Sequence, residues 1–183
     1  MKDKEQKRQF LSLIIVMALG MCLLVGASYA FFRLSLSGTK ENVLKAGNLS
    51  LVLNETSEGI LLTDALPKAD SDGILLDPYT FTLTNNSSFK SNYTIYLDDT
   101  TLDTNKTRLD DSKIKYQLIN NGTQLNLRLL SETGVNPNRI LASGTIEGNG
   151  VYNFSLRLWI DQNATRDIVG HQFKGKLRIV ASM

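Results

Sequence analysis

The chain has 183 residues, 42% hydrophobic and 21% charged, which is typical of one globular domain with a short additional segment. It contains one cysteine, Cys22, and one histidine, His171, too few for a zinc or iron–sulfur site within one chain. The net charge of +2 is accounted for by residues 1–9, so no basic patch is available for nucleic acid, and neither nucleic acid nor any cofactor is predicted.

An uncharged apolar segment runs from Phe10 to Phe32. Because about 20 apolar residues in a helix cross a ~30 Å hydrocarbon layer, this segment is predicted to be one N-terminal hydrophobic helix that enters the membrane at least during export. The basic residues before it predict a cytoplasmic N-terminus and an exported remainder. Residues 1–30 are therefore interpreted as a signal peptide or a signal-anchor helix, and residues 31–183 as the exported domain.

Two interpretations of residues 1–30 stay open. As a signal peptide, the segment is cut by signal peptidase between Ala30 and Phe31, with Ser28 and Ala30 as the small residues of the cleavage site. As a signal anchor, it is retained and makes the chain a single-pass membrane protein. Lipidation at Cys22 is disfavoured because the bulky Met21 precedes it. The predicted location of the domain is extracellular or at the cell surface.

Residues 31–38, directly after the cleavage site, have the alternation of an extended strand. Phe32, Leu34 and Leu36 fall on one side of such a strand. A strand freed at the N-terminus can pair with an exposed sheet edge of the next subunit, and this heterologous contact propagates into a filament. The alternative is that these residues form the first strand of their own domain, or a stalk below a retained anchor.

Apolar and polar residues alternate through the rest of the chain, and a period of two predicts β-strands. The pattern is carried by seven runs: Leu49–Leu53, Tyr79–Leu83, Tyr93–Leu97, Ile114–Leu118, Leu125–Leu129, Tyr152–Ile160 and Phe173–Ile179. One apolar and one polar face per strand is typical of antiparallel sheets packed face to face. The predicted fold class is therefore all-β, an antiparallel β-sandwich.

Turn residues separate these runs. Asn120–Thr123 and Gly148–Gly150 are predicted to close hairpins. Ala69–Gly73 and Asp98–Asp111 are predicted to be polar loops. The best helical candidate is a turn or two within Asp161–Ile168, with the aspartate as its N-cap.

A set of strand and turn patterns spans most of residues 20–182. Its parts are the exit Ser28–Phe32 with Lys45–Leu51, the segment Tyr79–Leu97, and the end Tyr152–Ala164 with Gly175–Ile179. This set resembles the TasA/camelysin family of exported proteins with SipW-type signal peptides. The resemblance implies a jelly-roll β-sandwich and a structural role as a subunit of extracellular matrix (biofilm) fibres, with other copies or other matrix subunits as partners. The chain departs from the family at Arg33 and Leu34, where a small and an acidic residue are usual.

The sequence contains no recognisable catalytic constellation, so the protein is predicted not to be an enzyme. A zincin needs two histidines four residues apart, and His171 is alone. A serine triad that used His171 would lack the Gly-x-Ser-x-Gly elbow. His171 is therefore interpreted as a solvated or hydrogen-bonded residue before the last strand.

Carboxylates cluster in two of the predicted loops. The first pair is Asp70 and Asp72, and the second group lies within Asp98–Asp111. Solvated turns are the simpler interpretation because neither group has EF-hand spacing, although calcium binding and a glycosidase pair are alternatives.

Asn-x-Ser/Thr triplets are numerous. They begin at nine of the 15 asparagines: Asn48, Asn54, Asn85, Asn86, Asn92, Asn105, Asn121, Asn153 and Asn163. The excess suggests a glycoprotein, but strand surfaces and turns rich in Asn, Ser and Thr explain it more simply. A carbohydrate-binding face formed by Tyr93, Tyr96, Tyr152 and Trp159 is weighed in the same way against ordinary packing in strands.

Two hypotheses for function remain. The first is a structural subunit that is cut after Ala30 and polymerises outside the cell by strand addition. The second is a membrane-anchored adhesion module that stays monomeric and binds a glycan or protein through its loops.

Overall fold

The computed structural model describes residues 15–18, 21, 34–37, 41–46, 49–55, 59–165 and 168–182. Thirteen strands lie in these ranges: β1 (Leu34–Ser37), β2 (Glu41–Ala46), β3 (Leu49–Glu55), β4 (Ile60–Thr63), β5 (Pro67–Lys68), β6 (Tyr79–Asn85), β7 (Ser91–Asp99), β8 (Thr107–Arg108), β9 (Ile114–Asn120), β10 (Thr123–Leu129), β11 (Ile140–Ile146), β12 (Val151–Asp161) and β13 (His171–Ser182). A helical turn forms at Asp70–Gly73, and 3-10 turns form at Asp111–Lys113 and Leu130–Thr133.

The strands form two sheets that pack as a sandwich. Sheet A has the order β1-β13-β7-β11, and β4 and β8 also pair with β13. Sheet B has the order β10-β9-β12-β6-β3-β2, with β5 beside β12. All the pairings are antiparallel except the short contacts of β5 with β12 and of β8 with β13. The predicted all-β antiparallel sandwich is thus confirmed.

The core lies between the sheets and is built from alternate residues of the central strands. In β9, for example, Ile114, Tyr116 and Leu118 are fully buried. The rings of Phe81 and Phe154 stack with their centroids 4.8 Å apart. Since each large apolar side chain buried contributes roughly 1.5–3 kcal/mol, burial of this kind is the main stabilising contribution.

The N-terminal region is described at few positions. Ile15–Ala18 and Met21 are helical, and Cys22, Ser28 and Ala30 lie outside the described residues. Among the described residues, no helix combines the length and the apolar character needed to span a membrane.

The predicted hairpin at Asn120–Thr123 is confirmed. It joins β9 to β10, which pair in antiparallel register from Asn120 and Thr123 onward. Asn121 and Gly122 have φ values of 46° and 82°, as a type I′ turn requires.

Strand β10 itself corrects a prediction about burial. Its alternating leucines were expected to face the core, but Leu125 and Leu127 are 39% and 38% exposed. The register shifts between Gln124 and Asn126, and this bulge leaves Asn126 and Arg128 opposite the core residues of β9. Arg128 Nε accordingly donates to the Tyr116 hydroxyl at 3.0 Å.

The turn at Gly148–Gly150 corrects a second prediction. The chain does turn there, since Gly150 N donates to Glu147 O at 3.0 Å. However, β11 pairs with β7 in sheet A, whereas β12 pairs with β6 and β9 in sheet B. The turn therefore crosses between sheets and closes no hairpin. A Cβ on Gly148 would lie 2.3 Å from Ser88 O, so the loop between β6 and β7 leaves room only for glycine.

Two local predictions also change. Part of the predicted loop Ala69–Gly73 is a helical turn, closed by Gly73 N donating to Ala69 O at 2.9 Å. In the predicted helical region, Asp161 ends β12 and its carboxylate accepts from Asn163 N at 2.7 Å. That hydrogen bond forms a turn, and the described residues of Asp161–Ile168 contain no α-helix.

Candidate assembly edge on sheet A

Strand β13 pairs with four other strands of sheet A: β1, β4, β7 and β8. On one side it pairs with β7 from Gly175 to Ser182. On the other side it is covered by two strands of four residues each, β4 opposite Gln172–Gly175 and β1 opposite Arg178–Ala181. We call this second side of β13 the assembly edge.

Strands β1 and β4 lie end to end along the assembly edge. Both are antiparallel to β13, so they run in the same direction. Among the described residues, no strand pairs with Lys176 and Leu177 on this side. Gly59, just before β4, has a φ of 128°, and a Cβ there would lie 3.0 Å from Gly175 O. The start of β4 therefore packs directly on the β13 backbone and bounds the stretch that β1 covers.

The core side of the assembly edge is apolar. Leu177, Ile179 and Ala181 of β13 are buried to 1% exposure or less. Register places Leu34 opposite Ala181 and Leu36 opposite Ile179. The two leucine positions of the predicted donor strand are thus the register partners of buried core positions.

The other face of the edge is held by Arg178, the register partner of Ser37. Its Nε donates to Asp98 Oδ2 at 2.6 Å and its Nη2 donates to Pro137 O at 2.6 Å. The guanidinium also lies over the Tyr96 ring, 4.1 Å from the centroid. These contacts fix β13 to β7 and to the loop before β11, so the edge is presented on a rigid strand.

A charge cluster joins β7, β8, the 3-10 turn Asp111–Lys113 and the residue before β11. We define it as Arg108, Arg139, Asp99 and Asp111. Arg108 Nε lies 2.7 Å from Asp99 Oδ2 and its Nη2 lies 2.6 Å from Asp111 Oδ1. Arg139, which is fully buried, pairs with Asp99 and lies 3.5 Å from Asp111. Both guanidinium groups also lie 5.6 Å from the ring centroid of Phe173 on β13.

The electrostatics of the cluster are set by these pairs. Burial alone would raise the pKa of the Asp99 carboxyl, but hydrogen bonds and charges from Arg108 and Arg139 outweigh burial and hold that pKa below its usual range. The two arginine cations and the two aspartate anions of the cluster balance in charge. An unpaired charge in such a place would destabilise the fold.

Acidification is expected to destabilise the fold. The pKa values of Asp99, Asp103, Asp110 and Asp161 are lowered in the folded chain, so the unfolded chain binds more protons at low pH. Their contribution is complete above the unfolded pKa of about 4 and is lost as the pH falls through the folded values. Glu55, whose pKa is raised by burial, acts in the opposite direction. Urea unfolding at pH 7, 5, 4 and 3 measures this effect. A free energy of unfolding that is the same at pH 3 as at pH 5 would contradict the prediction.

The structure describes only some of the predicted site residues. Leu34 and Leu36 lie on β1, which pairs with β13 of the same chain. The predicted cleavage residues Ser28, Ala30 and Phe31, and Phe32 of the donor strand, lie outside the described residues. Sequence reasoning missed β13 as the counterpart of β1, because strand pairing over about 145 positions leaves no local signal.

The predicted acidic loops are solvated only in part: Asp72, Asp103 and Asp110 are exposed, whereas Asp98, Asp99 and Asp111 are half-buried. Asp98 and Asp99 end β7 and pair with arginines, and the Asp103 carboxylate accepts from Gln172 Nε2 at 2.8 Å. Asp70 lies 2.8 Å from Lys115 Nζ. Among the described residues, no three His, Cys, Asp or Glu side chains are arranged to hold a metal ion.

His171 begins β13. Its Nδ1 lies 3.3 Å from Val169 O, which is the hydrogen-bonded role predicted for it.

Asn85 cannot carry a glycan in the folded chain, although it begins an Asn-x-Ser triplet. It is fully buried, and its Nδ2 donates to Phe89 O at 2.8 Å and to Glu147 O at 3.1 Å. Its Oδ1 accepts from the Ser87 hydroxyl at 2.7 Å. The amide thus ties the loop after β6 to the end of β11.

The four aromatic residues weighed as a carbohydrate face do not come together. Tyr93 and Tyr152 pack edge to face, with centroids 6.2 Å apart, at the core between the sheets. Tyr96 lies under Arg178 on sheet A. Trp159 is 1% exposed and lies against Gly73 on sheet B. That alternative is therefore wrong.

Comparison with known proteins does not assign a family. No family model matches the chain, and no curated protein matches it.

Proposed function

We propose that this protein is an exported structural subunit that assembles into an extracellular fibre by strand addition, with β1 of one copy covering the assembly edge of the next. The sandwich is then of the jelly-roll type, the location is extracellular, the partners are further copies or other matrix subunits, and no reaction is catalysed. The observation that carries the proposal is the position of β1. It is an edge strand of sheet A, and it closely follows the apolar segment Phe10–Phe32.

A strand in this position can be exchanged between copies. The β1 segment of a second copy can make the same four register pairs with Arg178–Ala181 as the chain's own β1 does. The main-chain hydrogen bonds and the buried positions 179 and 181 are the same in both arrangements. Exchange therefore replaces one contact with an identical one, and the contact is heterologous, so it extends into a filament.

Two sequence features support export and release of this strand. The apolar segment Phe10–Phe32 follows basic residues, and Ser28 and Ala30 precede β1 at the spacing of a signal-peptide cleavage site. The resemblance to the TasA/camelysin family adds fibre formation as the expected outcome of that release.

The second candidate function is a membrane-anchored adhesion module that stays monomeric. One observation favours it: β1 pairs with β13 of its own chain, so a single copy already covers its assembly edge. A retained N-terminal anchor would keep β1 in that place.

Cysteine pairing across β1 and β13 separates the two candidates. Ser35 and Val180 are register partners, and residues directly opposite in an antiparallel pair have Cβ atoms about 4.5–5.5 Å apart, close to disulfide geometry. In a Cys22→Ala background, chains with Ser35→Cys are co-expressed with chains with Val180→Cys, and the exported protein is run on non-reducing gels. Strand addition is expected to give disulfide-linked dimers of the two variants.

The matched control is Ser143→Cys co-expressed with Thr94→Cys. These residues are register partners on β11 and β7, and their hydroxyls lie 3.2 Å apart. This pair is expected to give no dimer, since neither strand is exchanged. N-terminal sequencing and electron microscopy of the same samples should find chains that begin at Phe31 in fibres. Monomers that retain residues 1–30 and form no Ser35–Val180 dimer would overturn the proposal in favour of the adhesion module.

A further inference from the structure

An apolar cavity lies at the end of the sandwich where β13 begins. Its volume is about 330 Å³, and its apolar lining includes Ala65, Leu66, Pro67, Ile168 and Val169. This places the cavity beside the first residue of β13, whereas β1 pairs near the last. His171, beside the cavity, and Ala181, opposite the start of β1, are ten residues apart on β13, or roughly 33 Å at 3.3 Å per residue. The cavity and the start of β1 thus lie at opposite ends of the domain.

The rim of this cavity is unusually exposed for apolar residues. Leu66 and Val169 are 75% and 85% exposed, and Leu61 on the neighbouring β4 is 51% exposed. Clustered exposed apolar side chains around a concavity are typical of a surface that another chain covers. The cavity size suits one or two side chains better than a whole domain.

The sequence before β1 offers side chains of this kind. Phe31 and Phe32 precede Arg33 and Leu34, and Leu34 is the register partner of Ala181 near the far end of β13. Because three extended residues span about 10 Å, residues 31–33 can reach beyond the end of whichever subunit holds β1. The next subunit along the same axis would present its cavity there.

We propose that the apolar cavity receives the N-terminal phenylalanines, Phe31 and Phe32, of another copy of this chain. The inference rests on the proposed fibre, and it adds a second contact between subunits that is distinct from strand addition. It fixes the axis of the fibre along β13, with the end that carries β1 against the end that carries the cavity.

Charge at the cavity agrees with this occupant. Among the described residues that line it, Asp64 is the one charged residue, and its side chain is 70% exposed. Cleavage before Phe31 creates an α-ammonium group beside the phenylalanines, and Arg33 follows them. Both cations are complementary to the carboxylate, which already holds Lys106 Nζ at 3.1 Å.

Photocrosslinking within the fibre tests the contact. The full chain is produced with p-benzoylphenylalanine in place of Phe32, mixed with ¹⁵N-labelled wild-type chain before assembly, irradiated and digested. We expect crosslinks from position 32 to labelled peptides that contain Ala65–Pro67 or Ile168–Val169. Val169→Asp is expected to raise the critical concentration for assembly about tenfold or more. The control Val135→Asp alters a valine that is 74% exposed and does not line the cavity, and it should leave that concentration unchanged.

The outcomes separate this contact from strand addition. Crosslinks from position 32 to Phe89, an exposed residue of the loop between β6 and β7, together with unchanged assembly of Val169→Asp, would overturn the inference. If Ser35–Val180 dimers still formed in that case, strand addition would stand alone. Crosslinks to the cavity without those dimers would support the phenylalanine contact and reject strand addition.

Discussion

Replacing Asp99 with asparagine is expected to lower the free energy of unfolding by about 3 kcal/mol, which is typical when one partner of a buried ion pair is removed. The carboxylate accepts from Arg108 and pairs with Arg139, whose side chain has no exposed surface. Arg139 Nη1 already lacks a hydrogen-bond partner among the described residues, so no spare acceptor replaces the lost charge. Urea unfolding at pH 7, followed by circular dichroism, measures the change.

Two variants control for this result. Glu147→Gln breaks an exposed pair, in which the Lys90 and Glu147 side chains are 56% and 69% exposed, and is expected to leave the free energy of unfolding nearly unchanged. Arg139→Met removes the buried cation instead of leaving it unpaired, and Asp99 keeps Arg108, so the loss should be smaller than for Asp99→Asn. A loss below 1 kcal/mol for Asp99→Asn would show that the cluster does not support the fold.

Replacing Gly73 with alanine is expected to cost about 2 kcal/mol through overpacking. A Cβ at this position would lie 2.3 Å from Trp159 Cδ2 and Cε2, far inside contact distance. Either the helical turn Asp70–Gly73 or the indole must move. Trp159 is the only tryptophan of the chain and is 1% exposed, so its fluorescence emission should shift to longer wavelength as the indole is uncovered.

The control is Ser71→Ala, at an exposed position of the same turn, which should change neither stability nor emission. A double-mutant cycle with Trp159→Leu gives the sharper test, because the smaller side chain makes room for the new methyl group. Gly73→Ala should then cost less in the Trp159→Leu background than in the wild type. Equal costs in both backgrounds would place the strain elsewhere.

The strands were predictable because their information is local. The alternation in Tyr79–Leu83 or Ile114–Leu118 depends on which residues can face a core, and β6 and β9 follow it. The choice of sheet is not local. Gly148–Gly150 has the composition of a hairpin turn, yet the strands on either side belong to different sheets. The bulge that exposes Leu125 and Leu127 could not be predicted from the sequence either, because it depends on the register between β10 and β9.

The candidate site was predictable only on the donor side. Leu34 and Leu36 lie two positions apart in sequence and carry the strand pattern, but their partner strand β13 lies about 145 positions away. The charge cluster was missed because Arg108 on β8 and Arg139, the residue before β11, lie about 30 positions apart, and because Asp99 was assigned to a solvated loop. The sequence does not show which charged residues are buried, because their burial here results from the packing of β7 and β8 against the 3-10 turn Asp111–Lys113 and the residue before β11.

The central place of β13 in sheet A also sets the order of events when the protein is made. Ribosomes synthesise a chain from the amino terminus, and β1, β4, β7 and β8 all precede β13, so none of them can pair with it until it has been made. The nascent polypeptide therefore cannot complete sheet A, or present the proposed assembly edge, until residues 171–182 have been synthesised. On the proposed export and assembly, this late completion leaves sheet A open while the chain crosses the membrane, and no neighbour's strand can pair with β13 before β13 exists.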